Sequence, residues 1–383
     1  MNKIIFISIF SLVFLSASYY VFIRGYQAMP NIYWLKLTYS ILFWTLSASF
    51  IVSRFTGTES LMALHFFTTW VGVFWMVASL YFFLIVLSID LIRLVNHFAH
   101  FLPLQGSPQA QLLKYITLSI SVFVVSGLII YGNYNARHAQ IVHLNLKINK
   151  TTAKYKHLRI AMASDIHLGT IVNARYLGWM TENMNSFYPD IIMIPGDILD
   201  EELTPILKYN IGKPLKELKA PLGIWAVPGN HEHIGNFSQT SKYLNSLNIN
   251  LLVDTSVFID SSFYLVGRDD KDASRFSGKK RASLDVLMEN IDTSKPIILL
   301  DHQPFALSES QRVGVDLQLS GHTHNGQFWP FNYITNSIFE KSWGYLKKGM
   351  THFYVSSGYG TWGPPVRIGN RPEIVIIDID FLK

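Results

Sequence analysis

The chain has no cysteine. That excludes a disulfide framework and any thiolate metal site, so a metal here can be held only by oxygen and imidazole ligands. It leaves the redox compartment open, since a cysteine-free chain suits either. Charge is also scarce: Asp, Glu, Lys and Arg make up 15% of 383 residues, against 49% hydrophobic and 14% aromatic, and the mean hydropathy is positive. A soluble domain carries about 25% charged residues, so a membrane part is the natural explanation. The shortage is uneven. Residues 1–150 hold 9 basic and 2 acidic side chains, whereas residues 151–383 hold 23 and 24. The basic balance belongs to the N-terminal part, and the near-neutral remainder lacks the Lys and Arg excess of a nucleic-acid surface; no nucleic-acid partner is expected.

What the N-terminal part has instead is long uncharged runs. Residues 4–23 are about the length that crosses ~30 Å of hydrocarbon at ~1.5 Å per residue. A signal peptide is the rival reading, ranked lower because no small-residue cleavage site follows and more apolar runs come after. Those runs are 37–52, 61–88 and 116–131, separated by segments carrying Arg24, Arg54, Arg93 and Lys114. The expectation is a multi-pass transmembrane region of four helices within residues 1–135. Between residues 61 and 88 the only ionisable side chain is His65, which disfavours ion transport. Lys3, Arg54 and Arg137 count for one membrane face, and Arg24, Lys36, Arg93 and Lys114 for the other. The basic tail after Arg137 tips the balance toward a cytoplasmic globular domain in the cell membrane.

Residues 136–156 read as a basic linker containing one alternating segment, 141–148, with strand periodicity. From 157 to 383 the pattern is α/β. A short apolar run, 158–163, ends at Ser164-Asp165-Ile166-His167, where residues two apart on a strand point to the same side. A helical stretch over 173–187, with Leu177, Met180, Met184 and Phe187 at three- and four-residue spacing, returns to a strand at 191–194 and the turn Pro195-Gly196-Asp197. Helical residues follow to 218. A third strand at 223–227 then delivers Gly229-Asn230-His231-Glu232. Asp165 to Asp197 is 32 residues and Asp197 to Asn230 is 33, each about one strand-helix-strand unit. Polar residues therefore recur at the carboxyl ends of neighbouring parallel strands, where open α/β sheets build their sites. The second half is richer in strands, expected at 251–253, 257–259, 264–266, 297–300, 317–319, 353–356 and 374–379. Two of these run into imidazoles, at Asp301-His302 and at Gly321-His322-Thr323-His324. Neutral imidazole is a preferred ligand of first-row metals.

Asp-x-His, Gly-Asp, Gly-Asn-His-Glu, a lone His and Gly-His-x-His, in this order and spacing, resemble the calcineurin-like metallophosphoesterase superfamily over roughly residues 155–383. Gly267-Arg268-Asp269-Asp270 and the segment 358–367 look like a membrane-associated bacterial branch similar to the YkuE and YaeI phosphoesterases, although those carry fewer spans or an export signal. The resemblance implies an α/β sandwich of two central mixed sheets flanked by helices, behind the transmembrane helices, and a pair of divalent metals. Carried over residue by residue, one metal would be held by Asp165, His167, Asp197 and His324, and the other by Asp197, Asn230, His302 and His322. His231 would contact the scissile phosphate, with Asn230 and Asp197 in the same catalytic group, and Glu232 would either be structural or support a ligand from behind. The implied reaction is hydrolysis of a phosphate ester or pyrophosphate bond by a metal-bridging hydroxide.

The chemistry of the residues agrees. Two cations ~3.5–4 Å apart need a bridging carboxylate to offset their repulsion, and Asp197 is central in the ligand order. Mixed nitrogen and oxygen ligation fits Mn²⁺, Fe or Zn²⁺. Arg275, with Lys279, Lys280 and Arg281, sits in a loop suited to an anionic headgroup, and Arg367 is a candidate to border the substrate cleft. Asp301 either caps its turn or orients His302. The expected partners are the lipid bilayer and a phosphorylated, lipid-linked substrate. The alternative is a non-catalytic membrane sensor or assembly protein with an inactive phosphoesterase domain.

Overall fold

The computed structural model of the chain describes residues 3–53, 62–169, 171–200 and 203–382. It divides into two compact units, Met1–Gly132 and Asn133–Lys383. The first unit is built from α1 (Lys3–Ala28), α2 (Tyr33–Ser53), α3 (Met62–Ala99) and α4 (Pro108–Ala136), the last of which runs on into the second unit. All four are long and apolar enough to cross a membrane. Gly72 of α3 lies so close to α2 that a Cβ would come within 2.5 Å of the Phe50 Cα, the close approach that small residues permit between apolar helices. Trp75 Nε1 donates to the buried Ser47 hydroxyl at 2.9 Å.

One expectation changes here. At 38 residues α3 is about 57 Å long, more than a bilayer core needs, because it continues past residue 88. It therefore carries Asp90 as a helical residue. That carboxylate takes up Tyr20 at 2.5 Å, Arg24 at 2.7 Å and Arg93 at 3.0 Å. Arg54, used in the charge count, and residue 61, the expected start of this span, lie outside the described residues.

The second unit is a two-sheet sandwich. Its strands are β1 (Gln140–Ile148), β2 (His157–Met162), β3 (Ile191–Pro195), β4 (Ile224–Val227), β5 (Ile249–Leu251), β6 (Thr255–Ile259), β7 (Phe263–Gly267), β8 (Ile297–Leu300), β9 (Leu317–Ser320), β10 (Gly344–Lys348), β11 (Thr351–Val355) and β12 (Glu373–Phe381). One sheet has the order β1-β12-β2-β3-β4-β5 and the other β10-β11-β9-β8-β7-β6. Both are mixed: β2 to β5 run parallel with β12 antiparallel to β2, while β7, β8, β9 and β11 run parallel with β6 and β10 antiparallel at the edges. The helices are α5 (Ala174–Ser186), α6 (Leu203–Lys208), α7 (Asn230–Ile234), α8 (Phe237–Ser246), α9 (Ala273–Ser277), α10 (Leu284–Met288), α11 (Leu307–Arg312) and α12 (Phe331–Ile338).

Strand periodicity sorts the core into layers. Leu158, Ile160 and Met162 of β2 point between the sheets, against Ile298, Leu300, Leu317 and Leu319. Ala161 points the other way, with Ile192 and Ile194, onto the Leu177, Met180 and Met184 stripe of α5. Outside the second sheet, Ile297 and Leu299 meet Leu284 and Met288 of α10. Sheets covered on both faces have strands that read as continuous apolar runs, which is why most were visible in the sequence. The expected linker is in part sheet: β1 pairs along its whole length with β12, from Gln140 opposite Glu373 to Ile148 opposite Phe381. The helical stretch expected up to 218 is broken into α6 and a 3₁₀ turn, Lys213–Glu217, with Pro214 at its start. β10 was not anticipated, because its alternating half-buried pattern at a sheet edge offers no apolar run.

Candidate metal centre

The ligand candidates stand on five loops that leave the carboxyl ends of β2, β3, β4, β8 and β9. These loops are bent into a rarely used conformation. Asp165, His167, Asp197, His322 and His324 all have positive φ, between 46° and 71°. Left-handed backbone at a residue with a Cβ costs about 1–3 kcal/mol and persists only where the surroundings impose it. Gly196, at φ +89°, shows how tight the site is: a Cβ there would lie 2.5 Å from His302 Nδ1.

The expected ligands gather into two groups, Asp165 with His167 and His324, and Asp197 with His302 and His322, and a third group joins His167 to Asp200 and His231. Within each group the ligand atoms lie within 4.8 Å of one another. Asp197 reaches both, its Oδ2 being 3.2 Å from His302 Nε2 and 3.8 Å from His167 Nε2. Asn230 Oδ1 is 3.0 Å from His322 Nδ1. His324 Nε2 is 3.0 Å from His167 Nε2 and 3.5 Å from Asp165 Oδ1. All seven expected metal ligands are therefore brought together, although they come from both sheets.

Neighbouring groups hold them in place. Asp165 accepts from the Ser164 hydroxyl at 2.5 Å and from the His322 backbone N–H at 2.9 Å. His302 Nδ1 donates to the Pro195 carbonyl at 2.8 Å, which fixes the ring and turns Nε2 toward Asp197. Glu232 ties two turns together, accepting from the backbone N–H groups of Asp197, Gly229 and Leu199 at 3.0, 2.7 and 2.9 Å. That agrees with its expected structural role. His231 is buried, its backbone N–H donating to Asp197 Oδ1 at 2.9 Å and its Nδ1 lying 3.3 Å from Asp200 Oδ1.

The electrostatics are those of a cation site balanced only by protons. Burial works to raise Asp197, but the His302 and His231 imidazoles override it and hold the carboxyl well below its usual range. Burial alone would lower His302; Asp197 overrides that and raises it well above an ordinary histidine. Asp165 is pushed up to about 6, chiefly by burial and against the pull of His302. Burial lowers His167 to about 3 and His322 to about 4. His302 Nε2 meets a carboxylate oxygen, His167 Nε2 meets another imidazole nitrogen, and His167 Nδ1 is a buried atom with no hydrogen-bond partner among the described residues. Single protons settle such contacts one at a time. Divalent cations settle them together, so the donor set fits a pair of metals.

Other expected residues fall differently. Arg367 does not border a cleft. It is fully buried, and its guanidinium donates to the Ser357 and Gly360 carbonyls at 2.7 and 2.6 Å, with Nη2 3.2 Å from His324 Nδ1. It braces the loop behind the candidate ligands, a role the linear sequence cannot disclose because its partners, apart from the nearby Asn370 side chain at 3.0 Å, are backbone carbonyls and a distant histidine. Asp301 does not orient His302; it is held by Arg268 at 3.3 Å and Arg281 at 2.9 Å. Arg281 is thereby withdrawn from the basic loop. Arg275 is exposed on α9 and pairs with Asp272 at 3.1 Å. Asp200 was missed. Its signal was its position three residues beyond Asp197, on the same loop.

Residues 158–326 match the family described as calcineurin-like phosphoesterase. The chain is 33% identical over 228 residues to an uncharacterized metallophosphoesterase of Helicobacter pylori, a match that covers 58% of this chain and 60% of that protein. It is 34% identical over 229 residues to an uncharacterized metallophosphoesterase of Aquifex aeolicus, covering 59% of this chain and 86% of the other. A Bos taurus transmembrane protein with metallophosphoesterase domain is 32% identical over 274 residues, covering 67% and 61%. The chain thus spans about 60% of the length of the Helicobacter and Bos relatives. Sequence motifs, sandwich and similarity to these relatives converge on one assignment: the chain belongs to the calcineurin-like metallophosphoesterase family.

Proposed function

We propose that the chain is a membrane-anchored, two-metal phosphoesterase that hydrolyses a phosphate ester or pyrophosphate bond on a membrane-proximal, lipid-linked substrate. The observation that carries this reading is the pair of buried ligand groups sharing Asp197, in a chain with four helices able to cross a membrane. Asp165, His167, Asp197 and His324 would hold one divalent cation, and Asp197, Asn230, His302 and His322 the other. When bound, the pair supplies Lewis-acid neutralisation of phosphoryl charge and a water acidic enough to serve as nucleophile near neutral pH. Mn²⁺, Fe and Zn²⁺ all suit this donor set.

The protein's own part is positioning and proton handling. Asp197, ionised and central, lowers the repulsion between two cations, and Pro195 keeps His302 in the tautomer whose Nε2 can ligate. With Nδ1 toward Asp200, His231 has Nε2 as the nitrogen that donates to a phosphoryl oxygen or protonates the departing oxygen. Asp200 keeps that ring oriented and supports its cationic form. Arg275, exposed at the surface, is the remaining candidate for an outlying substrate contact.

The test is turnover of bis(4-nitrophenyl) phosphate by the purified full chain in detergent, with and without Mn²⁺. Metal-dependent turnover that disappears in Asp197→Ala is expected. No metal dependence, or undiminished turnover in the variant, would overturn the reading. We place the catalytic unit on the cytoplasmic side, on the balance of basic residues flanking the spans.

A further inference from the structure

We propose that α12, together with Trp329 and Trp343, forms a face that docks on the surface of a phospholipid bilayer and seats the metal centre beside lipid phosphates. As a statement about substrate, this rests on the phosphoesterase reading; as a statement about docking, it stands by itself.

Helix α12 has the sequence FNYITNSI and buries none of its residues. Phe331, Ile334 and Ile338 fall at three- and four-residue spacing, so they share one face. Their exposures are 37%, 53% and 56%; Tyr333, at 65%, is turned to another side of the helix. Trp329 precedes the helix at 49% exposed. Trp343 follows it at 41%, one residue after Ser342, whose hydroxyl donates to Asn336 of the helix. The same spacing on α5 is used to bury Leu177, Met180 and Met184 in the core. On α12 the stripe is present and the core is missing. Contiguous exposed apolar surface of this kind, mixed with aromatic residues, marks an interaction site in a soluble unit.

The site lies against the catalytic histidines. The turn that holds His324 leads directly into α12, and Gly326 is so close to it that a Cβ would lie 2.4 Å from Asn332 N. At the other end of the helix Phe339 packs tilted against Phe305, ring centres 4.7 Å apart, and stands edge-on to His322 at 6.1 Å.

Three features select a bilayer as the occupant. Tryptophan and tyrosine beside aliphatic residues are the composition preferred at a membrane interface, where one end of the ring is wet and the other apolar. Lys347, exposed on β10 four residues beyond Trp343, supplies a cation for anionic headgroups. Finally, the four spans tether the unit to a bilayer, so even weak partitioning of two helical turns becomes an intramolecular event at high effective concentration. A phosphorylated lipid could then present its headgroup at His322 while its tail stays in hydrocarbon.

Because the chain has no cysteine, a cysteine at Ile334 or Ile338 is a unique label site. The full chain carrying Ile334→Cys or Ile338→Cys, labelled with an environment-sensitive fluorophore, is reconstituted into phosphatidylcholine and phosphatidylglycerol vesicles with or without nitroxide-bearing lipid. Glu182→Cys, exposed on α5, is the comparator. We expect blue-shifted emission and several-fold stronger quenching at 334 and 338 than at 182. Replacing Phe331 and Ile338 by serine in the Ile334→Cys chain should reduce the quenching. Emission as water-like as at 182, equal quenching at all three sites, or quenching untouched by the serine changes would overturn the proposal. None of these readouts depends on turnover, so a failure of docking and a failure of the phosphoesterase reading are told apart.

Discussion

At the scale of single residues, the centre depends on charges that compensate one another. In the metal-free protein His302, well above its usual value, retains its proton, and Asp165, at about 6, takes one up as the pH falls through that value. A cation has to displace those protons, so metal binding releases them and metal affinity rises with pH. Titration of Mn²⁺ into the full chain should show tighter binding at about pH 7.5 than at about pH 5.5, with proton release measured by calorimetry in two buffers; affinity independent of pH would contradict the assignment. Asp200 acts one step from the reaction, through His231. Asp200→Asn should lower kcat about 10–100-fold with metal content unchanged, and the variant's pH profile should shift because His231 loses its anionic support. Equal losses of metal and activity would show a ligand role instead.

At the scale of elements, the strand-end turns matter as much as the ligands they carry. Glu232 satisfies three buried backbone N–H groups from two turns. Glu232→Ala would strand those donors, at a cost of about 3 kcal/mol or more, and thermal unfolding of the full chain in detergent should report it as a fall of several degrees. Gly196 sets how closely β3 and the His302 loop approach. Gly196→Ala, with its Cβ 2.5 Å from His302 Nδ1 and an unfavourable positive φ, should break the His302 to Pro195 hydrogen bond and weaken the second metal more than the first. Metal analysis by mass spectrometry should find close to one equivalent where the parent has two. Which elements could be read in advance follows from burial. β2, β3, β8 and β9 were legible because both faces are covered. β10 and α12 were not, the first because it lies half-buried at an edge and the second because its apolar stripe meets no core.

At the scale of the whole molecule, an uneven charge distribution separates two environments. The four apolar helices account for the excess of hydrophobic residues, and the second unit carries near-balanced charge over a buried sandwich core. A cysteine introduced at exposed Glu182 should resist a membrane-impermeant reagent in intact cells and react in lysed ones if the catalytic unit is cytoplasmic; labelling in intact cells would place it on the other side. The balanced charge of residues 151–383 also predicts no binding to duplex DNA at about 0.15 M salt, checked by fluorescence anisotropy.

The sequence by itself determined the apolar runs and the α/β alternation, because these are local: apolar run length and strand and helix periodicity; its strand-end polar motifs, through the family they resemble, named the candidate metal ligands. Only the tertiary structure decided that Asp197 stands between two ligand groups drawn from two sheets, that Asp200 serves His231, that Arg367 is enclosed by carbonyls and braces His324, and that α12 keeps an apolar face beside the site. Each of these is a relation between segments far apart in the chain, or between a side chain and the backbone of another loop. Such relations are set by how the two sheets pack, and no spacing along the sequence encodes them.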